Sequence, residues 1–182
     1  TVHISSYVPV PILEIGSFLQ DNDIDRVRKL FARESKDFLQ KYFKKELFFT
    51  DVEGKTKDEV LKNLCRKVEQ EKGLPETFTA SVLKREELTP TDYGNLVALP
   101  HPERAFQERA FVAVAVLKEP IFWFRQKVQV VFLTAIGREE DENLQQFYEA
   151  TTDLILRPAD VQNLIRHPDY DRLIQLLRRA EE

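Results

Sequence analysis

His101, one of three histidines in the chain, stands between Pro100 and Pro102. An imidazole titrates close to neutrality, with an unperturbed pKa of about 6.5, so near pH 7 it can serve as nucleophile, base or ligand. Each flanking proline fixes its own φ near about −65° and lacks an N–H, so neither a helix nor a central strand passes through the pair. The residue before a proline is pushed toward extended geometry, which restricts Leu99 and His101. Upstream, Gly94-Asn95 is a turn signal. Between turn and prolines lies a short apolar set, Leu96, Val97, Ala98 and Leu99, suited to a buried strand. The stretch reads as a turn, a strand, and an imidazole held at the strand's end on stiff backbone. A loop histidine with no chemistry fits the same pattern, and on pattern alone it is the commoner case.

Composition narrows what the histidine can serve. At 182 residues, 42% hydrophobic and 32% charged, the chain has the makeup of a globular protein with one main domain. A formal net charge of −4 argues against a nucleic-acid surface, which needs a basic patch, and suits a basic protein partner better. No apolar run approaches the roughly 18–20 residues that span a bilayer, and no leading signal pattern is present, so no membrane insertion is expected. A single cysteine, Cys65, excludes an internal disulfide and fits a reducing cytoplasm. One Cys and scattered His offer no metal-ligand cluster, so neither metal nor cofactor is expected. Cys65 lies beside a helical stripe and reads as a small core residue. The absence of methionine, including at position 1, reads as a fragment of a longer chain, with engineering as the other explanation.

The elements that must hold His101 follow from periodicity. Thr1 to Val8 reads as a strand, stopped by Pro9 and Pro11. Asp21-Asn22-Asp23 offers a cap to a helix carrying Ile24, Val27, Leu30 and Phe31, and a second stripe extends the helical pattern to Lys45. Residues 1 to about 40 are too few for a core of their own. Glu46 to Thr50 reads as a short strand. Thr56 with Glu59 has capping-box spacing ahead of Val60, Leu61, Leu64 and Val68, and Gly73 suits the helix end. Pro75 suits the first turn of the next helix, which buries Phe78, Val82 and Leu83 and ends near Arg85-Glu86-Glu87. Phe111–Leu117 and Val128–Ile136 are continuously apolar, as in strands buried on both faces, with Glu119-Pro120 marking a turn or edge and Trp123 in core or pocket wall. Asp141 or Glu142 opens a helix, Pro158 starts a short one, and Asp169 caps the last. Buried strands alternating with amphipathic helices predict an α/β fold: a three-layer sandwich, a mixed β-sheet flanked by helices on both faces.

From Glu46 to Leu177, the order of parts resembles the enzyme IIA domain of the bacterial phosphotransferase system (PTS), fructose–mannitol class. The resemblance is carried by Arg85-Glu86, the Gly94-Asn95 turn, Val97-Ala98, Leu99 and Pro100-His101, and by VLKEPIFWF followed by VQVVFLTAI. It implies a PTS EIIA type-2 domain over residues 41–182, with His101 as a phosphohistidine site that takes its phosphoryl group from the phosphocarrier protein HPr. Imidazole suits such transfer, being a neutral nucleophile near pH 7 and a good leaving group once phosphorylated. The protein then mainly positions reactants and neutralises charge on the phosphoryl oxygens. The resemblance gives Arg85 the role of phosphate clamp, since its guanidinium is a planar fork of donors. Gly94 and Asn95 supply either donors to the phosphate or only a structural turn. Glu86 orients Arg85 or faces water, with water the better expectation.

The chain departs from the family at three places. Leu96 stands where glycine is common, Pro102 where a small residue is usual, and Asn143 where many members carry a second histidine. The last departure leaves the tautomer partner of His101 open. His167 reads as structural or surface, and His3 carries no signal. Residues 1–40 resemble the tail of a preceding IIB-like module. That order resembles the C-terminal end of transcriptional regulators with PTS regulation domains, such as mannitol-operon activators. The resemblance therefore implies a phosphoacceptor domain by which a sugar-operon regulator reports sugar uptake: a cytoplasmic phosphoryl-transfer domain rather than a turnover enzyme, making no direct nucleic-acid contact. The alternatives are a transporter IIA that passes phosphate to a IIB cysteine, and a IIA-like fold that acts only by protein contact.

Overall fold

The structure, a computed structural model, describes residues 39–139 and 144–178. The expected N-terminal strand, the helix after Asp21 and the IIB-like tail therefore lie outside the described residues, as do Asn143 and the start of the helix expected at Asp141 or Glu142. In order, the elements are β1 (Phe43–Phe49), α1 (Lys57–Lys72), α2 (Thr77–Leu88), β2 (Asp92–Gly94), β3 (Val97–Ala98), β4 (Phe111–Phe122), β5 (Lys127–Ala135), α3 (Leu144–Leu156), α4 (Pro158–Arg166) and α5 (Tyr170–Arg178). The strands form one mixed sheet in the order β1-β4-β5-β3-β2, with β1 parallel to β4, β3 parallel to β5, and the β4–β5 and β2–β3 pairs antiparallel.

The central strands are apolar on consecutive positions because each face meets helices. Val112, Val114, Val116, Val130 and Phe132 pack with Phe147, Leu154, Val161, Leu164, Leu173 and Leu177 of α3, α4 and α5. The alternate residues, Phe111, Ala113, Ala115, Val131 and Leu133, pack with Leu61, Leu64, Cys65, Val68, Phe78 and Val82 of α1 and α2. Period-2 alternation thus sends neighbouring residues to opposite cores. This is the predicted three-layer arrangement.

Local signals set most boundaries. Thr56 Oγ1 accepts from Glu59 N at 3.3 Å, while the Glu59 carboxylate accepts from Lys55 N at 2.8 Å. Gly73 closes α1 at φ 62°, ψ 35°, the left-handed conformation that glycine adopts without a Cβ penalty. Arg172 N donates to Asp169 Oδ1 at 3.1 Å at the start of α5. Two expectations fail. The helical pattern through Lys45 gives way at Phe43, which pairs with Val112 in a parallel ladder: the central strand β4 offers ladder bonds and a buried site that local periodicity does not register. Pro120 does not end β4. It is exposed, and the β4–β5 register shifts between Val116 and Ile121, so its missing N–H falls where the ladder is already irregular. The turn comes later, where Trp123 N donates to Gln126 O at 2.9 Å.

Candidate functional site

The backbone that carries His101 is pinned on two sides. β3 pairs with β5 through Val97–Val130 and Ala98–Val131. Beyond it, Leu99 N donates to Thr91 O and Thr134 N donates to Pro100 O, both at 3.0 Å. The chain enters this strand through a left-handed turn, with Asn95 at φ 48° and Leu96 at φ 65°. Leucine is strained there by about 1–2 kcal/mol. The Leu96 carbonyl accepts from Gln129 N at 2.8 Å and Val130 N at 3.0 Å, and this pairing holds the conformation in place. Position 96 is thus one where glycine would fit without strain, and Leu96 occupies it against that preference.

His101 is half-buried, and its Nδ1 lies 3.2 Å from Leu99 O. A carbonyl oxygen has no proton to give, so in this pair Nδ1 is the donor. In the neutral ring that tautomer leaves the lone pair on Nε2. The partner of Nδ1 is thus a backbone carbonyl two residues back.

One cavity of about 390 Å³ contains the expected nucleophile and the expected clamp. Its walls are Arg85 and the segment Thr89–Tyr93, Leu99 with His101, Thr134 and Ile136 at the end of β5, and Phe147, Tyr148, Thr151 and Thr152 of α3. Arg85 Nη1 donates to Thr89 O at 3.1 Å, and among the described residues Arg85 forms no ion pair. Its charge is therefore available to an anion. Burial pushes the Tyr148 phenol above its ordinary range, so it stays protonated at neutral pH. The cavity combines an imidazole, a guanidinium and several hydroxyls, a set that can hold a small multi-oxygen anion, with the Asp92 carboxylate turned to the Arg125 and Gln126 amides.

Glu86 does not face water. It is 1% exposed, and its Oε1 accepts from Thr91 N at 2.9 Å and from Trp123 Nε1 at 2.7 Å, while Oε2 accepts from Thr91 Oγ1 at 2.8 Å. A buried carboxylate must collect donors. These come from the loop after α2 and from the β4–β5 turn, both distant from Glu86 in pattern terms. Glu86 thereby fixes Thr91, which walls the cavity. Glu86→Ala strands the donors of Thr91 and Trp123 and is expected to lower stability by about 2 kcal/mol. Glu86→Gln is expected to stay within about 1 kcal/mol of wild type, because its carbonyl can take both N–H groups while its amide donates to Thr91 Oγ1. Denaturant unfolding of both variants checks this; a Glu86→Ala variant as stable as wild type would show that the polar network contributes nothing.

The remaining expected residues sit elsewhere. Gly94 (φ 108°) and Asn95 do not line the cavity: Asn95 Nδ2 donates to Ile155 O at 2.9 Å, near the C-terminus of α3. The turn's amide is spent on a helix end, where carbonyls lack intrahelical partners. Pro102 is buried beside His101. His167 is exposed after α4, away from the cavity, and His3 lies outside the described residues. Cys65 is fully buried in the core, and desolvation pushes its thiol far up, so it is no nucleophile. Trp123 is core, at 4% exposure. Sequence reasoning missed Asp92, whose Oδ2 accepts from Arg125 N at 2.8 Å and Gln126 N at 2.9 Å, and the threonines of α3. Asp92 lay within the stretch singled out, but the threonines carry no local signal. Among the described residues no His, Cys, Asp and Glu cluster could hold a metal ion, and no helix is long and apolar enough to cross a membrane.

The chain is 34% identical over 173 residues to the probable licABCH operon regulator of Bacillus subtilis (strain 168), covering 95% of this chain and 27% of that protein. It is 27% identical over 120 residues to the transcriptional regulator ManR of the same organism, covering 66% of this chain and 18% of that protein. It thus spans about a quarter or less of the length of these relatives. In a complex of enzyme IIAMTL and phosphorylated enzyme IIBMTL from Escherichia coli, one chain superposes with a TM-score of 0.60 at 17% identity, over 72% of this chain and 94% of that one, which shows a shared fold. The sequence profile described as "Phosphoenolpyruvate-dependent sugar phosphotransferase system, EIIA 2" matches residues 41–180, and the chain belongs to that family.

Proposed function

We propose that this chain is the histidine phosphoacceptor domain of a sugar-operon transcriptional regulator, phosphorylated on His101 by phospho-HPr so that the regulator reports sugar uptake. The observation that carries the reading is the meeting, in one cavity, of a half-buried imidazole whose Nδ1 is tied to Leu99 O and a guanidinium that no carboxylate among the described residues neutralises. The regulator context is supported by the likeness to the licABCH operon regulator and ManR. Cytoplasmic location follows as part of the same proposal.

The chemistry is an in-line displacement. The Nε2 lone pair of His101 attacks phosphorus, the donor's bond to phosphorus breaks, and its electron pair leaves with the donor. The proton stays on Nδ1, donated to the Leu99 carbonyl, so no general base is needed. Arg85 offsets charge on the equatorial oxygens. Exposed Tyr93, Ile136 and Tyr148 sit at the cavity and offer apolar contact to a docking donor.

Incubation with phosphorylated HPr tests the reading. A phosphoryl label that is stable in base and labile in acid is expected. No label from HPr under any condition would leave a IIA-like fold acting by contact alone. A second reading, a transporter IIA, draws on the IIAMTL likeness. Rapid loss of label to a IIB domain would favour it; retention favours the regulator.

A further inference from the structure

We infer that the hydroxyl of Thr151 binds the phosphoryl group from the α3 side of the cavity, an inference that rests on the phosphoacceptor reading of His101. Thr151 is 4% exposed and lines the same cavity as His101 and Arg85. Its Oγ1 is buried and has no hydrogen-bond partner among the described residues. A helical threonine can relieve such burial by donating to the carbonyl one turn earlier, and Thr151 makes no such bond. A sealed hydroxyl without a partner costs free energy, and native proteins keep few of them. One that persists in the wall of a cavity built for an anion points to a ligand that satisfies it.

A phosphoryl group is such a ligand. On Nε2 it presents three acceptor oxygens, and the hydroxyl has one proton to donate. Arg85 reaches the cavity from α2 and Thr151 from α3, so the two supply donors from different walls. No bond to phosphorus forms or breaks at Thr151; a turn about χ1 brings the hydroxyl, closed to water in the free protein, to the cavity, and there it only donates. The free state carries the cost of the unpaired hydroxyl and the phosphorylated state does not. Thr151 therefore shifts the equilibrium toward the phosphorylated form, without being needed for the fold.

This gives Thr151 a signature opposite in sign to that of a structural threonine. Thr151→Val keeps the shape and removes the hydroxyl. The unphosphorylated variant is expected to melt above wild type, since a buried unpaired polar group is gone. With phospho-HPr it is expected to take label on His101 about tenfold more slowly and to lose it about tenfold faster, the effect of one lost hydrogen bond to a charged group. Phosphorylation should raise its melting temperature by less than it raises that of wild type. Thr151→Ser, which restores the hydroxyl, should return both rates to near the wild-type values. Labelling and label loss in Thr151→Val at wild-type rates would overturn the inference while leaving the His101 reading intact. So would a lower melting temperature for the free variant, which would make the hydroxyl structural. A wild-type protein that takes no label would bring down the His101 reading, and this inference with it.

Discussion

His101→Ala is expected to abolish phosphoryl uptake from phospho-HPr while leaving a folded protein. The described residues offer no substitute nucleophile. Cys65 is buried in the core between the sheet and α1–α2, with its thiol pushed far up by desolvation. His167 is exposed after α4 and does not line the cavity. The cavity threonines have weakly acidic hydroxyls and, with His101 gone, no imidazole to activate them. The fold should survive because the position is held by backbone. Thr134 N bonds to Pro100 O, Pro102 restricts the residue before it, and the imidazole itself makes one bond, to the carbonyl of Leu99. Losing that local bond costs about 1 kcal/mol or less. The check is acid-labile label against time, with a melting curve on the same sample. Label that persisted in the alanine variant would mean that another residue accepts the phosphoryl group.

Arg85→Ala carries the second largest expected effect, a slowing of transfer by about 10²-fold in a protein that still folds. The guanidinium is half-buried in the cavity wall and engages only the Thr89 carbonyl among the described residues. Its removal costs the native state little, because Thr89 is exposed and its carbonyl can turn to water. What is lost is a fixed positive charge beside developing negative charge, in a site partly shielded from solvent, where such charges act most strongly. Arg85→Lys should fall between the two, since an ammonium keeps the charge but loses the planar fork that engages two oxygens at once. Single-turnover labelling of the three proteins decides it. Equal rates in wild type and Arg85→Ala would remove Arg85 from the site.

Glu86 marks where pattern reading stops. Arg85 and Glu86 are neighbours at the end of an amphipathic helix, and both charges look solvated from the sequence. Arg85 lines the cavity. Glu86 turns inward because Thr91 and Trp123, five and thirty-seven residues away, converge on it with three donors. No local pattern encodes that convergence, since Trp123 reaches Glu86 only through the β4–β5 turn. Asn95 shows the same limit. A turn residue beside a strand suggested a phosphate donor, and tertiary packing gave its amide to a helix end sixty residues away.

Taken alone, the residue pattern determined the layered fold, most helix boundaries, the family resemblance, and the histidine held on stiff backbone at a strand's end. These depend on side-chain period, caps and proline geometry, which act over a few residues. Tertiary structure alone decided that Phe43 begins a strand, that His101 Nδ1 meets the Leu99 carbonyl, that Glu86 is buried, and that Thr151 lines the same cavity as His101 and Arg85. Each of these depends on which distant groups arrive as partners once the sheet has closed. Strand pairing and the burial of polar atoms are settled by such partners, not by neighbours along the chain.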